Sequence, residues 1–329
     1  MLSTGLVRGV AAEVDFNRDI RPILSENCFQ CHGPDAAKRK AGLRLDTREG
    51  ATQLNDGAAA IDPANLAKSE LLARITTTDP DTQMPPPESN SKLTPEQVQL
   101  LQRWVAEGAK YDQHWAFKPP VRHSLPTLTG AQRSWAQNAV DHFVAAKQAE
   151  VGLTPSPEAG RATLLRRVSL DLTGLPPTPD QLAAFVADTE PQAYERAVDR
   201  LLQSPHYGER WGRHWLDAAR YADSDGYSHD AARSIWPYRD WVIEAFNRDL
   251  PFDRFVVEQL AGDMLPEATL AQRIATGFHR NTQINTEGGV DREQFRIDSI
   301  YDRIATTGEV MFGLTFGCAQ CHDHKYDPI

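Results

Sequence analysis

The chain has few cysteines, an excess of acidic over basic residues, and no long apolar segment. It contains four cysteines among 329 residues, with 35 Lys and Arg against 45 Asp and Glu. Neither residues 1–112 (13 basic, 16 acidic) nor the remainder (22 basic, 29 acidic) carries net positive charge. This balance argues against nucleic acid or anionic lipid as a partner. No run approaches the roughly 20 apolar residues of a spanning helix, so we expect no direct membrane span.

The composition is that of a folded protein. Hydrophobic residues make up 40% of the chain and charged residues 24%, which is typical of globular domains and not of disordered segments. At roughly 150 residues per domain, the length predicts two domains.

The four cysteines form two pairs, and a histidine follows each pair. The first motif is Cys28, Cys31 and His32, and the second motif is Cys318, Cys321 and His322. C-x-x-C-H is the attachment signature of c-type haem, in which two thiols bind the porphyrin and the histidine binds the iron. The sequence therefore predicts two covalently attached haem c groups, each with its motif histidine as the proximal metal ligand.

Two other interpretations of the cysteines are weaker. A four-cysteine zinc site would need short ligand spacings, whereas 286 residues separate Cys31 from Cys318. A thioredoxin-like dithiol would need a surrounding βαβ pattern, and neither pair has one.

The residues around the first motif predict a small helical domain over 13–110. Apolar residues at helical spacing from Phe16 to Leu24 predict a helix over 15–27 that leads into the motif. A polar stretch to about residue 63 predicts a loop, and a short helix is expected over 65–75. Met84 is followed by three prolines, which fix the extended backbone. We expect Met84 to be the distal ligand of the first haem.

A second helix closes this domain. Thr94, Pro95 and Gln97 form a capping-box start, and Gly108 marks the end. The order of helix, motif, loops, methionine and terminal helix resembles a class I cytochrome c, whose first and last helices pack together. Phe16 and Trp104 are the expected meeting point.

The rest of the chain predicts a second helical domain. Residues 111–133 contain several prolines and little periodicity, which is typical of a linker. Residues 134–329 show helical patterns and no convincing strand, so the predicted fold class is all-α. The predicted helices cover 134–150, 157–172, 178–188, 191–204, 206–222, 234–248, 251–264, 268–278 and 291–312.

Longer stretches resemble a known family. Val14–Leu24, Cys28–Pro34 and Met84–Pro86 resemble the planctomycete cytochrome c-like domain. Arg166–Pro176, His214–Ser224 and Gly317–Ile329 resemble the uncharacterised domain that usually follows it. The resemblance implies haem binding and electron transfer.

The same resemblance bears on what lies outside the sequence. A further domain, often with carbohydrate-binding modules, normally follows the second motif in that family. We therefore expect the chain to be truncated, or its second haem to be completed by another chain, with carbohydrate contacts only through downstream domains. Covalent haem attachment predicts an extracytoplasmic, for instance periplasmic, location. Met1–Ala12 lacks a full export signal, so it is either a remnant of one or a mis-assigned start.

The distal ligand of the second haem is less clear. His214 shares a helical stripe with Trp211, Trp215 and Ala218, so we expect it to face the core. It is either a core histidine or the second distal ligand, and His279 and Met311 are weaker candidates for the ligand.

Two functions follow from these motifs. The first is a di-haem cytochrome that exchanges electrons with soluble or membrane-bound redox partners. The alternative is a haem-dependent oxidoreductase, peroxidase-like or sugar-oxidising, whose second haem keeps an open position.

Overall fold

The structure is a computed structural model that describes residues 13–55, 57–321 and 324. Helix dominates, at 56% of the chain, which confirms the all-α prediction. The chain divides into two compact units, described separately below. Unit 1 comprises Met1–Arg122 with Cys318–Ile329, and unit 2 comprises His123–Gly317.

Unit 1 is built from short helices around one apolar core. Its helices are α1 (Arg21–Asn27), α2 (Phe29–His32), α3 (Arg48–Thr52), α4 (Glu70–Thr76) and α5 (Pro95–Ala106). A π-helical turn over Phe16–Ile20 precedes α1. The strands β1 (Leu54–Asn55) and β2 (Ala58–Ala59) pair antiparallel.

The predicted loop up to residue 63 is therefore wrong in part, because it contains α3 and the β1–β2 hairpin. Thr47 caps α3 by accepting a hydrogen bond from the Gly50 N–H at 3.2 Å. A five-residue helix and two-residue strands are too short to produce a detectable hydrophobic period.

The first and last helical segments of unit 1 meet as predicted. The rings of Phe16 and Trp104 lie 5.8 Å apart, and both contact the ring of Tyr111. Trp104 is 1% exposed, and its indole N–H donates to the Lys110 carbonyl at 3.1 Å. This contact closes the core on which α1 and the first motif lie.

Unit 2 contains the longer helices. They are α6 (Gly130–Trp135), α7 (Ala139–Glu150), α8 (Arg161–Thr173), α9 (Pro179–Ala187), α10 (Ala193–Leu202), α11 (Pro205–Ala218), α12 (Trp236–Asn247), α13 (Phe252–Ala261), α14 (Leu270–Ala275) and α15 (Arg292–Thr307). Among the described residues of this unit, extended pairing is limited to one bridge between Ser224 and Ala232. Every helix predicted here is present within a few residues of its expected bounds.

Capping residues explain where helices of both units begin. Thr94 and Gln97 exchange reciprocal hydrogen bonds at the start of α5, at 2.9 and 3.3 Å. Thr178 and Gln181 do the same at α9, at 2.9 and 3.2 Å. These pairs satisfy backbone N–H groups that have no partner inside the helix.

The packing of α11 on α12 depends on one of two buried glycines. Gly208 and Gly212 are buried on α11 and face α12. A Cβ atom on Gly208 would lie 2.3 Å from the Ile243 carbonyl oxygen, whereas one on Gly212 would make ordinary contacts of 3.5 Å or more. The Gly208 N–H also donates to Asn247 Oδ1 at 2.7 Å. The two helix backbones therefore approach closely only because Gly208 has no side chain.

This close approach predicts a large effect for one added methyl group. Gly208→Ala should destabilise unit 2 by about 1–3 kcal/mol, because α11 must move away from α12. Gly288→Ala is the control, since a Cβ atom there meets open space. Denaturant unfolding followed by circular dichroism measures both. Equal midpoints for the two variants would contradict the close packing.

Candidate haem site

The first motif occupies the turn that follows α1. The Cys28 N–H donates to the Leu24 carbonyl at 2.8 Å, which completes the last turn of α1. The Cys28 carbonyl then accepts from the N–H groups of Cys31 at 3.1 Å and His32 at 2.8 Å. The three motif residues therefore share one helical turn, the local structure that the spacing predicts.

The two cysteines lie in different surroundings. Cys28 is half-buried against the apolar core, and Cys31 is exposed. Burial, together with the nearby Cys31, raises the pKa of the Cys28 thiol to about 12. One cysteine thus faces the protein interior and the other faces solvent.

The His32 imidazole is half-buried in unit 1. Its Nδ1 atom is buried and has no hydrogen-bond partner, which is unusual because buried polar atoms are normally paired. Burial lowers the pKa of His32, a hydrogen bond with the Lys40 backbone offsets part of this effect, and the charge of Arg74 lowers the pKa further. The neutral ring, which is the form that binds metals, is therefore favoured.

Met84 is joined to the same part of unit 1 through Arg74. The Met84 N–H donates to the Arg74 carbonyl at 2.9 Å. The Arg74 guanidinium is bound to Glu70 at 3.0 Å and lies close enough to act on the His32 ring. One residue of α4 therefore contacts the methionine segment and influences the motif histidine.

These residues fit a c-type haem. The donor set holds two thiols and an imidazole on one turn, a thioether on a segment fixed to α4, and an unpaired buried ring nitrogen. Soft sulfur and imidazole ligands are those that haem iron takes in cytochromes c. Cys28 and Cys31 would attach the group, and His32 and Met84 would bind its iron.

Sequence reasoning missed the contribution of Tyr111, which it placed in the linker. The Tyr111 hydroxyl donates to the Leu45 carbonyl at 3.0 Å, and the Leu45 N–H donates to the His32 carbonyl at 2.8 Å. Burial raises the pKa of Tyr111 well above its usual range. Tyr111 thus holds in place the segment that follows the motif. Its position just after α5 was the only feature of the sequence that indicated a contact with unit 1.

The second motif is described only in part. α16 (Phe316–Ala319) carries Cys318, and both Cys318 and Cys321 are exposed. The Phe316 ring packs on Gly308, where a Cβ atom would lie 2.6 Å from the ring. His322, the predicted proximal ligand, lies outside the described residues. The second haem site therefore stays a prediction.

The prediction that His214 faces the core is wrong. His214 is exposed, and its ring lies 5.6 Å from that of Trp211, which is itself 37% exposed. The buried residues of α11 are Gly208, Gly212 and Leu216. α11 is turned so that its glycines meet α12, which leaves Trp211, His214 and Ala218 exposed, whereas Trp215 packs against the apolar cluster of unit 2. Its role as a ligand of the second haem stays a prediction.

The two weaker candidates for the distal ligand of the second haem, His279 and Met311, are both partly buried in unit 2. His279 is half-buried with an unpartnered, buried Nδ1 atom, and burial and the nearby Arg303 lower its pKa. Met311 packs partly buried against the apolar cluster of unit 2. Within the described residues, no group of three or more His, Cys, Asp or Glu side chains is arranged to hold a metal ion.

The fold of unit 1 and the arrangement of the first motif define a cytochrome c-type domain. Comparison with protein families agrees, because residues 28–88 match the family described as Planctomycete cytochrome C. Residues 139–329 match the family PSCyt2, described as protein of unknown function (DUF1549). This second match covers more than half of the chain, so the chain belongs to the PSCyt2 family. Comparisons with curated proteins and with solved structures find no significant match.

No helix in the part of the chain that the structure describes is long and apolar enough to cross a membrane.

Proposed function

We propose that this protein is a di-haem c-type cytochrome that transfers electrons in an extracytoplasmic compartment. The observation that carries the proposal is the first motif, whose three residues share one turn, and Met84 lies on a segment of the same unit that is hydrogen-bonded to α4. Repetition of C-x-x-C-H at Cys318 and Cys321 supports a second haem. Its partners are soluble or membrane-bound redox proteins.

The residues of unit 1 have distinct tasks in this function. Bound haem c supplies the one-electron chemistry of its iron. The core beneath the motif, which includes the buried Leu24, Phe29 and Ile61, excludes water from that side. Cys31 is exposed, so electrons would enter and leave at the edge that it marks.

Substitution of each cysteine pair tests the attachment sites. Cys28→Ala/Cys31→Ala and Cys318→Ala/Cys321→Ala should each remove half of the covalent haem, because a thioether cannot form without the thiols. Haem staining on a denaturing gel, after export in a host with c-type maturation machinery, measures this. A pair whose loss leaves the stain unchanged is not an attachment site.

The rate at which cyanide or peroxide binds to the haem iron distinguishes an electron carrier from a haem enzyme. A six-coordinate carrier binds cyanide slowly, whereas a haem with an open position binds cyanide or peroxide at once. We expect the exported wild-type protein to show no rapid spectral change with either reagent. A fast change in one of two haems would reject the pure carrier and support the haem-dependent oxidoreductase, and Cys318→Ala/Cys321→Ala would show which haem responds.

A further inference from the structure

One turn of unit 2 holds polar side chains whose hydrogen-bonding capacity no described residue uses. It is a 3₁₀ helix over Thr276–Asn281, and we call this helix together with Thr282 the polar turn. The His279 Nδ1 atom and both polar atoms of the Asn281 amide are buried without a hydrogen-bond partner among the described residues. Buried polar atoms are normally paired, because leaving them unpaired is costly. The polar turn is therefore a place where a polar ligand is expected.

Neighbouring elements hold the polar turn in position. The Arg233 guanidinium donates to the carbonyls of Thr282 at 2.9 Å and Asn281 at 3.4 Å. The Thr282 hydroxyl donates to the His279 carbonyl at 3.3 Å and accepts from Arg303 Nε, also at 3.3 Å. Thr282 thus joins His279 to α15, the helix that contains Arg303.

Arg303 supplies a positive charge beside His279. Burial and the nearby Arg303 charge lower the pKa of His279, which favours the neutral ring. Arg303 is exposed and forms no ion pair with a carboxylate that the structure describes. The adjacent carboxylate, that of Asp302, is bound instead by Arg220, which donates to both of its oxygens. The Arg303 guanidinium is therefore available to an anion from solvent.

The chemistry of these side chains selects a class of ligand. A guanidinium presents parallel N–H groups that match the two oxygens of a carboxylate. One unpaired cation balances one negative charge, whereas a phosphate monoester carries about −1.5 to −2 at pH 7. A neutral imidazole pairs well with a hydroxyl group, which can both donate and accept a hydrogen bond.

We infer that His279 and Arg303 form the binding site of a small hydroxycarboxylate at the surface of unit 2. The carboxylate binds the Arg303 guanidinium, and the hydroxyl group binds the half-buried His279 ring. Every residue of this site belongs to unit 2. The inference goes beyond the proposed electron transfer and does not depend on it.

Calorimetric titration of the exported full-length chain with L-lactate, propionate and inorganic phosphate tests the inference. L-Lactate and propionate differ only in the hydroxyl group, so lactate should bind about threefold more tightly, and phosphate should bind more weakly than either. Arg303→Gln should weaken the binding of both acids about tenfold, because it removes the charge. Arg292→Gln is the matched control, since Arg292 is another exposed arginine of α15, and it should change neither affinity.

His279→Phe separates the two contacts of the ligand. The variant keeps a planar ring beside Phe278 and removes the ring nitrogens. We expect the preference for lactate over propionate to vanish while propionate still binds as in the parent chain. A variant that had merely unfolded would lose propionate as well, and circular dichroism of the free variant detects this directly.

Several results would overturn the inference. No binding of either acid would mean that ordered water satisfies the polar turn. Tighter binding of phosphate would exclude the carboxylate class, and equal weakening in Arg292→Gln and Arg303→Gln would mean that net charge alone acts. A changed haem absorption spectrum in His279→Phe would place His279 on the iron of the second haem instead.

Discussion

Met84→Ala should lower one of the two midpoint potentials, by on the order of 100 mV, and leave the other unchanged. A thioether ligand raises the potential of a haem, and axial ligands set potentials over a wide range. The Met84 segment is fixed to the Arg74 carbonyl, and Arg74 acts on the His32 ring. A redox titration followed by visible absorption measures both potentials.

Met264→Ala is the matched control for this experiment. Met264 is 81% exposed and belongs to unit 2, so its loss should move neither potential. The absorption that arises from a methionine–iron bond should vanish only in Met84→Ala. Two unmoved potentials in Met84→Ala would reject Met84 as the ligand.

Trp104→Ala should destabilise unit 1 by about 3–5 kcal/mol, because it removes a large, fully buried side chain. Trp104 joins the first and last helical segments through the rings of Phe16 and Tyr111. The substitution also removes the indole N–H that donates a hydrogen bond to the Lys110 carbonyl. This loss is a large part of the stability of a typical domain.

The measurement is denaturant unfolding of the haem-loaded Cys318→Ala/Cys321→Ala chain, followed at the haem absorption band so that only the first haem, which unit 1 holds, is observed. Leu54→Ala is the control, because Leu54 is an apolar residue of the same unit that is 69% exposed. We expect the free energy of unfolding of Leu54→Ala to stay within about 0.5 kcal/mol of the wild-type value. Similar midpoints for Trp104→Ala and wild type would show that the contact does not hold the unit together.

Much of the helical architecture could be predicted because local signals determine it. The capping boxes at Thr94 and Thr178 lie at the starts of α5 and α9 as their residue types require. The contact of Phe16 with Trp104 followed from the order of elements around the first motif. These features depend on short-range chemistry that the sequence displays directly.

The buried face of α11 could not be predicted in the same way. Periodicity weighs side chains by hydrophobicity, so it placed Trp211 and His214 inside and gave no weight to Gly208. The packing instead depends on the absence of a side chain, which lets the Ile243 carbonyl approach. Where helices pack through glycine, the buried face differs from the most apolar one.

The partners of Arg74 were equally hidden from the sequence. Nothing in its position on α4 shows that its carbonyl accepts from Met84 or that its charge reaches His32. Such contacts arise from chain reversal after Thr76, and only the folded structure reveals them.

The central claim is that both C-x-x-C-H motifs hold haem covalently. The most direct measurement is the intact mass of the exported chain under denaturing conditions, which removes any haem that is not covalently bound. We predict a mass that exceeds the polypeptide by two haem groups. A mass that exceeds it by one haem, or by none, would contradict the di-haem account.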